Sequence, residues 1–406
     1  GYEPRGRAFE SLRAHQFYQR VREKSNPFSF LVVARLAVIS SCFFPTATSL
    51  PVQCSILASY LPVFYRAEDE LRIEFGASMS EFHPKKILYY CQSLVGIGHL
   101  ACSLRVIQEL LQHAEVDLIQ GGLDTGKPLE HPRYRNLRLP TLLHDHESGG
   151  FFDPDEESGV DEIWDARSEA ISGFLRGPYH AIVVEFYPFG RRRFKSEIQD
   201  LFRVVKEISG PVPIFTSVRE VLVPRAVEKE RRMVASVKKH IHTVFIRGDP
   251  EVIRLDETFS LAHEIKDRLC YTGYISPPAP QSWPKRKKQI LVSQGGGNVG
   301  RELLEGAIGA AALMPDYSFL LATGSRTTSA EIDELRKTVR SKNVEIKPFL
   351  PDFQWHLMES AVSICMGGDN TLLDVITART PTLAYPYQGN SEQGFRIKKF
   401  AEKGLI

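Results

Sequence analysis

Cysteine is sparse and unpatterned. Cys42, Cys54, Cys91, Cys102, Cys270 and Cys365 are scattered over 406 residues, with no C-x-x-C pair and no compact framework, which argues against a disulfide scaffold and for a reducing, cytosolic setting. They read as small buried apolar side chains. Excess charge is missing too: 51 Lys and Arg against 49 Asp and Glu leave a formal net charge of +2. The global basic surplus that non-specific nucleic-acid binding uses is therefore absent, and no nucleic-acid partner is expected. Nor is there a clean apolar run of the ~20 residues that a membrane-spanning helix needs. The most apolar stretch, Phe28 to Phe64, is cut by Arg35, Pro45, Pro51 and Pro62. It also follows too long a basic leader, Arg13 to Lys24, for a secretory signal.

What remains is ordinary globular composition, 43% hydrophobic and 25% charged, in a length that predicts roughly two to four domains. Residues 1–78 start with Gly and show no consistent period. They are expected to be a poorly ordered or artefactual extension ahead of a natural start at Met79. From there the pattern becomes orderly. The run Ile87–Cys91 has strand length and composition, Gly96-Ile97-Gly98-His99 follows, and Leu104, Ile107 and Leu111 recur at helical spacing. The same strand, glycine loop and helix return at Ile290-Leu291-Val292, at Gly295-Gly296-Gly297 with Gly300, and at Leu304, Ile308 and Ala311.

Strands are predicted at 181–186, 213–216 and 243–246, with helices at 195–208 and 227–239 between them. In the second half, strands at 318–322, 344–346, 361–365 and 382–385 alternate with helices at 329–339, 371–378 and from Ser391. Such alternation implies an α/β protein of two Rossmann-like halves with parallel sheets. The proline-rich, basic stretch 276–288 reads as the linker between a first domain, 79–275, and a second, 289–406. The chain stops at Ile406 before a last strand that would fit the pattern, so a truncated carboxyl terminus is expected. The polar segment Leu123 to Asp165 reads as a long excursion or lid. Its His144-Asp145-His146-Glu147 run imitates a metal cluster, but neighbours on an extended chain point to opposite faces, and no metal site is expected.

Glycine loops between strand and helix bring phosphate close to unpaired N–H groups at a positive helix end. Gly295-Gly296-Gly297-Asn298 reads as such a loop, although a triple glycine is also what a tight turn between strand and helix requires. Gly96 and Gly98 lack the third glycine of the dinucleotide fingerprint, which weakens an oxidoreductase reading. The most informative stretch is Cys365 to Asp374. Gly367 and Gly368 open space at a strand end, Asn370 or Thr371 is expected to cap the helix, and Asp374, one turn in, is either placed to accept hydrogen bonds from ribose hydroxyls or a surface helix acid. Gln388 and Gln393 are placed to read sugar hydroxyls.

From Ile364 to Leu405 the chain resembles the donor-binding half of the family 28 glycosyltransferases, typified by the peptidoglycan N-acetylglucosaminyltransferase. The stretches 95–100, 185–192, 218–220, 242–249 and 271–274 resemble more closely the group of predicted glycosyltransferases related to it. The resemblance covers about Lys85 to Ile406. It implies a GT-B fold, two Rossmann-like domains facing across a cleft, with a nucleotide-sugar, uridine-linked, as substrate rather than any cofactor. It also implies that Gly296, Gly297 and Asn298 hold phosphate, that Asp374 binds ribose, that Gln393 contacts the sugar, and that His99 approaches the acceptor. The chain departs from the family pattern in having Asp374 for the usual Glu, Gly394 where a second Gln is common, and Met366 where an Arg can occur.

The activity implied is metal-independent, inverting hexosyl transfer to an acceptor of unspecified chemistry, a lipid-linked one at a membrane surface included, by a cytoplasmic protein peripheral to that membrane. His99, with an unperturbed pKa of about 6.5, suits the role of base. A helix-start histidine that only bonds phosphate or backbone is the competing assignment. Glu185, at a strand end, is the rival base, against a structural acid paired with Arg191 or Arg192. The Arg191–Arg193 cluster is either a contact for anionic acceptor or a solvated charge run. A non-hydrolysing nucleotide-sugar epimerase and a non-catalytic donor-binding subunit are the alternatives, because fold does not settle function.

Overall fold

The computed structural model describes residues 85–94, 97–122, 129–144, 150–152, 159–278, 280–295, 299–324, 327–387 and 391–406. The extension 1–78 and the loop residues Gly296, Gly297 and Asn298 lie outside them, as do Gln388, Cys42, Cys54 and Asp145 to Glu147.

The first unit runs β1 (Lys85–Ser93), α1 (Gly98–Leu110), β2 (Ala114–Gly122), β3 (Tyr134–Arg138), the two-residue strands β4 (Leu143–His144) and β5 (Phe151–Phe152), α2 (Val160–Phe174), β6 (Ala181–Glu185), α3 (Lys195–Ser209), β7 (Ile214–Arg219), α4 (Val227–His240), β8 (Thr243–Arg247) and β9 (Leu269–Tyr271). Its sheet has the order β3-β2-β1-β6-β7-β8-β9, parallel throughout. Unbroken apolar runs such as Ile87–Cys91 belong to strands covered on both faces. Leu88 and Tyr90 enter one core with Ile182 and Val184, while Ile87, Tyr89 and Cys91 enter the other with Val183 and Phe215. Helix α3 buries Ile198, Leu201, Phe202 and Val205, an i, i+3, i+4, i+7 stripe that lies on the sheet.

The second unit runs β10 (Lys287–Ser293), α5 (Arg301–Leu313), β11 (Ser318–Ala322), α6 (Ser329–Thr338), β12 (Val344–Lys347), α7 (Phe353–Glu359), β13 (Ser360–Cys365), α8 (Asp369–Thr377), β14 (Thr382–Ala384) and α9 (Ser391–Glu402). Its sheet is β12-β11-β10-β13-β14, again parallel. Both units are Rossmann-like, as the alternation implied. In each, the opening strand lies between neighbours reached by crossovers in opposite directions, which leaves a crevice at its carboxyl end.

Two expectations are corrected, and one strand had been missed. The segment Leu123 to Asp165 is not one excursion: Tyr134–Arg138 forms the edge strand β3 and Val160 opens α2. An edge strand has one neighbour and needs no apolar run, so its sequence, YRNLR, carried no strand signal. The strand β2 was not anticipated either. Lys287 and Lys288, read as linker, belong to β10.

The units share apolar contacts. Val221, Val252 and Ile253 of the first pack in one cluster with Leu291, Leu372 and Phe400 of the second, and Tyr274 meets Phe400 edge-on at 5.6 Å. No helix among the described residues is long and apolar enough to cross a membrane.

Candidate functional site

The carboxyl edges of the two sheets meet, and the residues singled out at each edge meet with them. Gly98 opens α1 directly beneath the second unit. A Cβ there would lie 3.0 Å from Asn370 Nδ2, which donates to the Gly98 carbonyl at 3.1 Å. His99 comes next. Its Nδ1 lies 2.8 Å from Oε1 of Glu185, the last residue of β6, so the two rival bases are bonded to each other. With a carboxylate as acceptor the proton is assigned to Nδ1, leaving the lone pair on Nε2.

The Phe186 ring packs edge-on to the imidazole at 5.3 Å, held by a left-handed backbone, φ 69°, that costs about 1–2 kcal/mol in a non-glycine residue. Glu185 is fully buried. Burial pushes its carboxyl up from the ordinary value, opposed by Arg247, Arg191 and Arg219. Burial and then the charges of Arg219, Arg191 and Arg247 drive His99 well below its usual range, so the imidazole is neutral at pH 7.

The partner expected for Glu185 is corrected. Arg247 Nη2 donates to Oε1 at 2.9 Å. Glu185 pairs with Ser217, and Ser217 with Phe245, so β7 and β8 run two residues past the end of β6, and the Arg247 side chain reaches back across β7 to Glu185. Arg191 is mostly buried, its guanidinium 5.9 Å from the Phe186 ring. Arg192 and Arg193 are exposed.

On the second unit Gly367 adopts φ +75°, where a Cβ would run into Ile397. The helix that follows is not capped by Asn370 or Thr371. Gly368, at φ −59° and ψ 144°, turns the chain two residues before Asn370, α8 starts at Asp369, and no side chain caps it. Asn370 is thereby free to reach Gly98. Thr371 stays half-buried in the first turn.

Asp374 is mostly buried. It accepts from Gln354 Nε2 at 3.2 Å and from Arg105 Nη2 of the first unit at 3.5 Å. Burial pushes its carboxyl up to about 6, against Arg105 and Gln354. Gln393 Oε1 accepts from the backbone N–H of Tyr387 at 2.9 Å, tying α9 to the turn that precedes it.

Other residues at the seam were not singled out. Arg219, closing β7, lies 2.8 Å from Asp369 Oδ2 and 3.5 Å from Glu392 Oε2. Arg396 of α9 donates to Glu220 at 2.7 Å, both buried, and Lys399 pairs with Glu257. Burial penalises the Asp369 charge, yet Arg219, Arg396 and Arg247 together hold its carboxyl well below the carboxylate range. Burial raises Glu392, against Arg219 and Arg396. Arg219, Arg247, Asp369, Asn370, Tyr274 and Arg396 line a cavity of about 10 Å³, at the lower limit for one water. Arg219, Glu220, Arg247 and Tyr274 fall inside stretches that carry the family resemblance. That was the available signal, though it named no partners.

No protein-family model matches the chain. A protein of Methanosarcina mazei described as an uncharacterized glycosyltransferase is 26% identical over 121 residues, 30% of this chain and 31% of that protein. Another of Methanosarcina acetivorans, described in the same words, is 22% identical over 151 residues, 36% of this chain and 38% of that protein. The chain thus spans about a third of the length of the curated relatives that it matches. Among solved structures, it is similar to MurG of Acinetobacter baumannii, with 13% identity, 79% of this chain and 84% of that one covered, and a TM-score of 0.48. It is similar also to Arabidopsis thaliana UGT89C1 complexed with UDP-L-rhamnose, with 14% identity, 79% and 84% covered, and a TM-score of 0.49. Strand order and side-chain geometry by themselves define a protein of two Rossmann-like domains joined at their carboxyl edges over a buried ionic seam.

Proposed function

We propose that the chain is a glycosyltransferase that moves a hexosyl group from a uridine-linked nucleotide-sugar to an acceptor hydroxyl, with inversion and without a metal. The observation that carries the reading is the His99–Glu185 pair, 2.8 Å apart, at the edge of one Rossmann-like domain and opposite α8 of the other. The two glycosyltransferase relatives support the reaction class.

Each group has a role in this reading. His99 Nε2 takes the proton of the acceptor hydroxyl. The acceptor oxygen bonds to the anomeric carbon as the bond to the donor's phosphate oxygen breaks, and that electron pair leaves on the diphosphate. Glu185, buried behind the ring, holds the Nδ1–H tautomer and balances the imidazolium that forms, a positioning part. The depressed proton affinity of His99 keeps it in the base form at neutral pH. Backbone N–H groups after Gly367-Gly368 and in the loop Gly296-Gly297-Asn298 meet the diphosphate. Asp374 takes the ribose, and Gln388 and Gln393 take the sugar.

The test uses the full chain. A melting screen over nucleotide-sugars should shift for uridine-linked donors, because a ligand at 100 times its Kd adds ~2.7 kcal/mol. His99→Asn should lower kcat by about 10²–10⁴ and leave donor affinity within about twofold by calorimetry, since the ring acts on the acceptor. An epimer formed from donor alone, with no acceptor present, would instead establish the epimerase. No shift with any nucleotide-sugar would overturn the reading.

A further inference from the structure

The ionic contacts of the seam between the domains are arranged lopsidedly. Two carboxylates of the second unit, Asp369 and Glu392, converge on the one guanidinium of Arg219. Asp369 is the first residue of α8, so its carboxylate sits at the positive end of a helix whose free N–H groups follow a Gly-Gly turn. The opposite wall is cationic. Arg219 and Arg247 line the same small cavity. Arg247 is 6% exposed, and its Nε is buried with no hydrogen-bond partner. Arg219 Nε is likewise without a hydrogen bond although Asp369 lies 2.8 Å away, so that contact is coulombic and not directed. Arg219, Arg191 and Arg247 all lower the proton affinity of His99, with Asp369 acting in the opposite sense, and Arg247 also donates to Glu185 at 2.9 Å. A half-buried carboxylate of the protein therefore stands at a helix amino terminus, against two guanidiniums whose Nε atoms remain without a hydrogen bond.

We propose that Arg219 and Arg247 form a diphosphate-binding site of the first domain, and that Asp369 occupies this site until the phosphates of the donor displace it. The inference rests on the nucleotide-sugar reading above and adds to it a pair of cations from the domain opposite the donor helix. A cavity of about 10 Å³ cannot admit a diphosphate, so binding is an exchange: Asp369 and Glu392 give up Arg219 as the phosphates arrive. A diphosphate is the fitting occupant because a guanidinium fork matches two phosphate oxygens at once. It carries more charge than the carboxylate it replaces, and it can reach α8 and Arg219 together. Bound in this way, it would draw the two sheets onto one ligand.

Calorimetric titration of the full chain with inorganic pyrophosphate, UDP and uridine tests the site, with melting of each variant measured alongside. Arg219→Gln should weaken pyrophosphate and UDP by about tenfold or more, the scale of a lost charged hydrogen bond, and leave uridine unchanged. Asp369→Asn should tighten pyrophosphate severalfold. Glu392→Gln should act in the same direction and stands in if Asp369→Asn does not fold. Arg219→Gln binding both phosphates as the unaltered chain does, or neither acid variant tightening pyrophosphate, overturns the proposal. Should UDP bind and be lost in Asp374→Asn but not in Arg219→Gln, the donor reading survives without the arginine site. Should UDP bind nowhere while Asp369→Asn binds pyrophosphate through Arg219, the anion site survives without the nucleotide.

Discussion

At Asp374 burial works against charge, and the pull of Arg105, 3.5 Å away, does not restore it. The carboxyl stands at about 6 instead of 3.8, so between those values the folded chain keeps a proton that the unfolded chain releases. Stability contributed by this residue therefore falls as pH rises from 3.8 to 6, by on the order of 3 kcal/mol, and stays lost above. Asp374→Asn should accordingly melt higher than the unaltered chain at pH 8 and level with it near pH 4, as a fluorimetric series across pH would show. If the carboxylate binds ribose, the same variant loses about one to two decades in UDP affinity at pH 8. A gain in melting with a loss in binding marks a residue kept for its ligand. His99, Glu185 and Asp374 stood out in the sequence because a strand end or a glycine turn placed them. Arg219, Arg247 and Arg105 did not, because their partners come from strands and helices distant along the chain, and spacing says nothing of what meets across a seam.

The turn ahead of α8 shows what an element asks of its residues. Gly367 has the left-handed φ, +75°, and abuts Ile397 of α9, whereas Gly368 has an ordinary φ and no neighbour closer than 4.0 Å to a Cβ. Gly367→Ala should cost about 1–2 kcal/mol for the backbone alone and more for the displaced Ile397. That should lower the melting temperature by roughly 3 °C or more, while Gly368→Ala should be close to neutral. Differential scanning calorimetry of the pair distinguishes a turn held by backbone shape from one held by sequence habit. Buried strands and amphipathic helices were legible because both faces of β1 or one stripe of α3 demand apolar residues. The polar edge strand β3 was not, and the amino end of α8 was misplaced by two residues. There the capping rule looked to Asn370 and Thr371, whereas the Gly368 backbone makes the turn.

Across the whole molecule the domains are joined by buried ions as well as by the shared apolar cluster. Arg396 is 2% exposed, and removing it leaves Glu220 buried without its partner. Arg396→Met should destabilise by about 3–5 kcal/mol in urea unfolding, and adding Glu220→Met should recover much of the loss, because a broken buried pair costs more than an absent one. Two Rossmann-like halves were visible in the repeated strand, glycine loop and helix, but how they meet was not, since Val221, Val252 and Ile253 look like any core residues until Phe400 is found against them. That shared grease gives the proline-rich connection a modest task. A peptide joining two bodies mainly raises the concentration that each experiences of the other. Bodies that already bury side chains in a common cluster and exchange buried charges have an affinity of their own. The covalent link then acts as a convenience of assembly, and the working unit is a complex of two partners that happen to be translated as one.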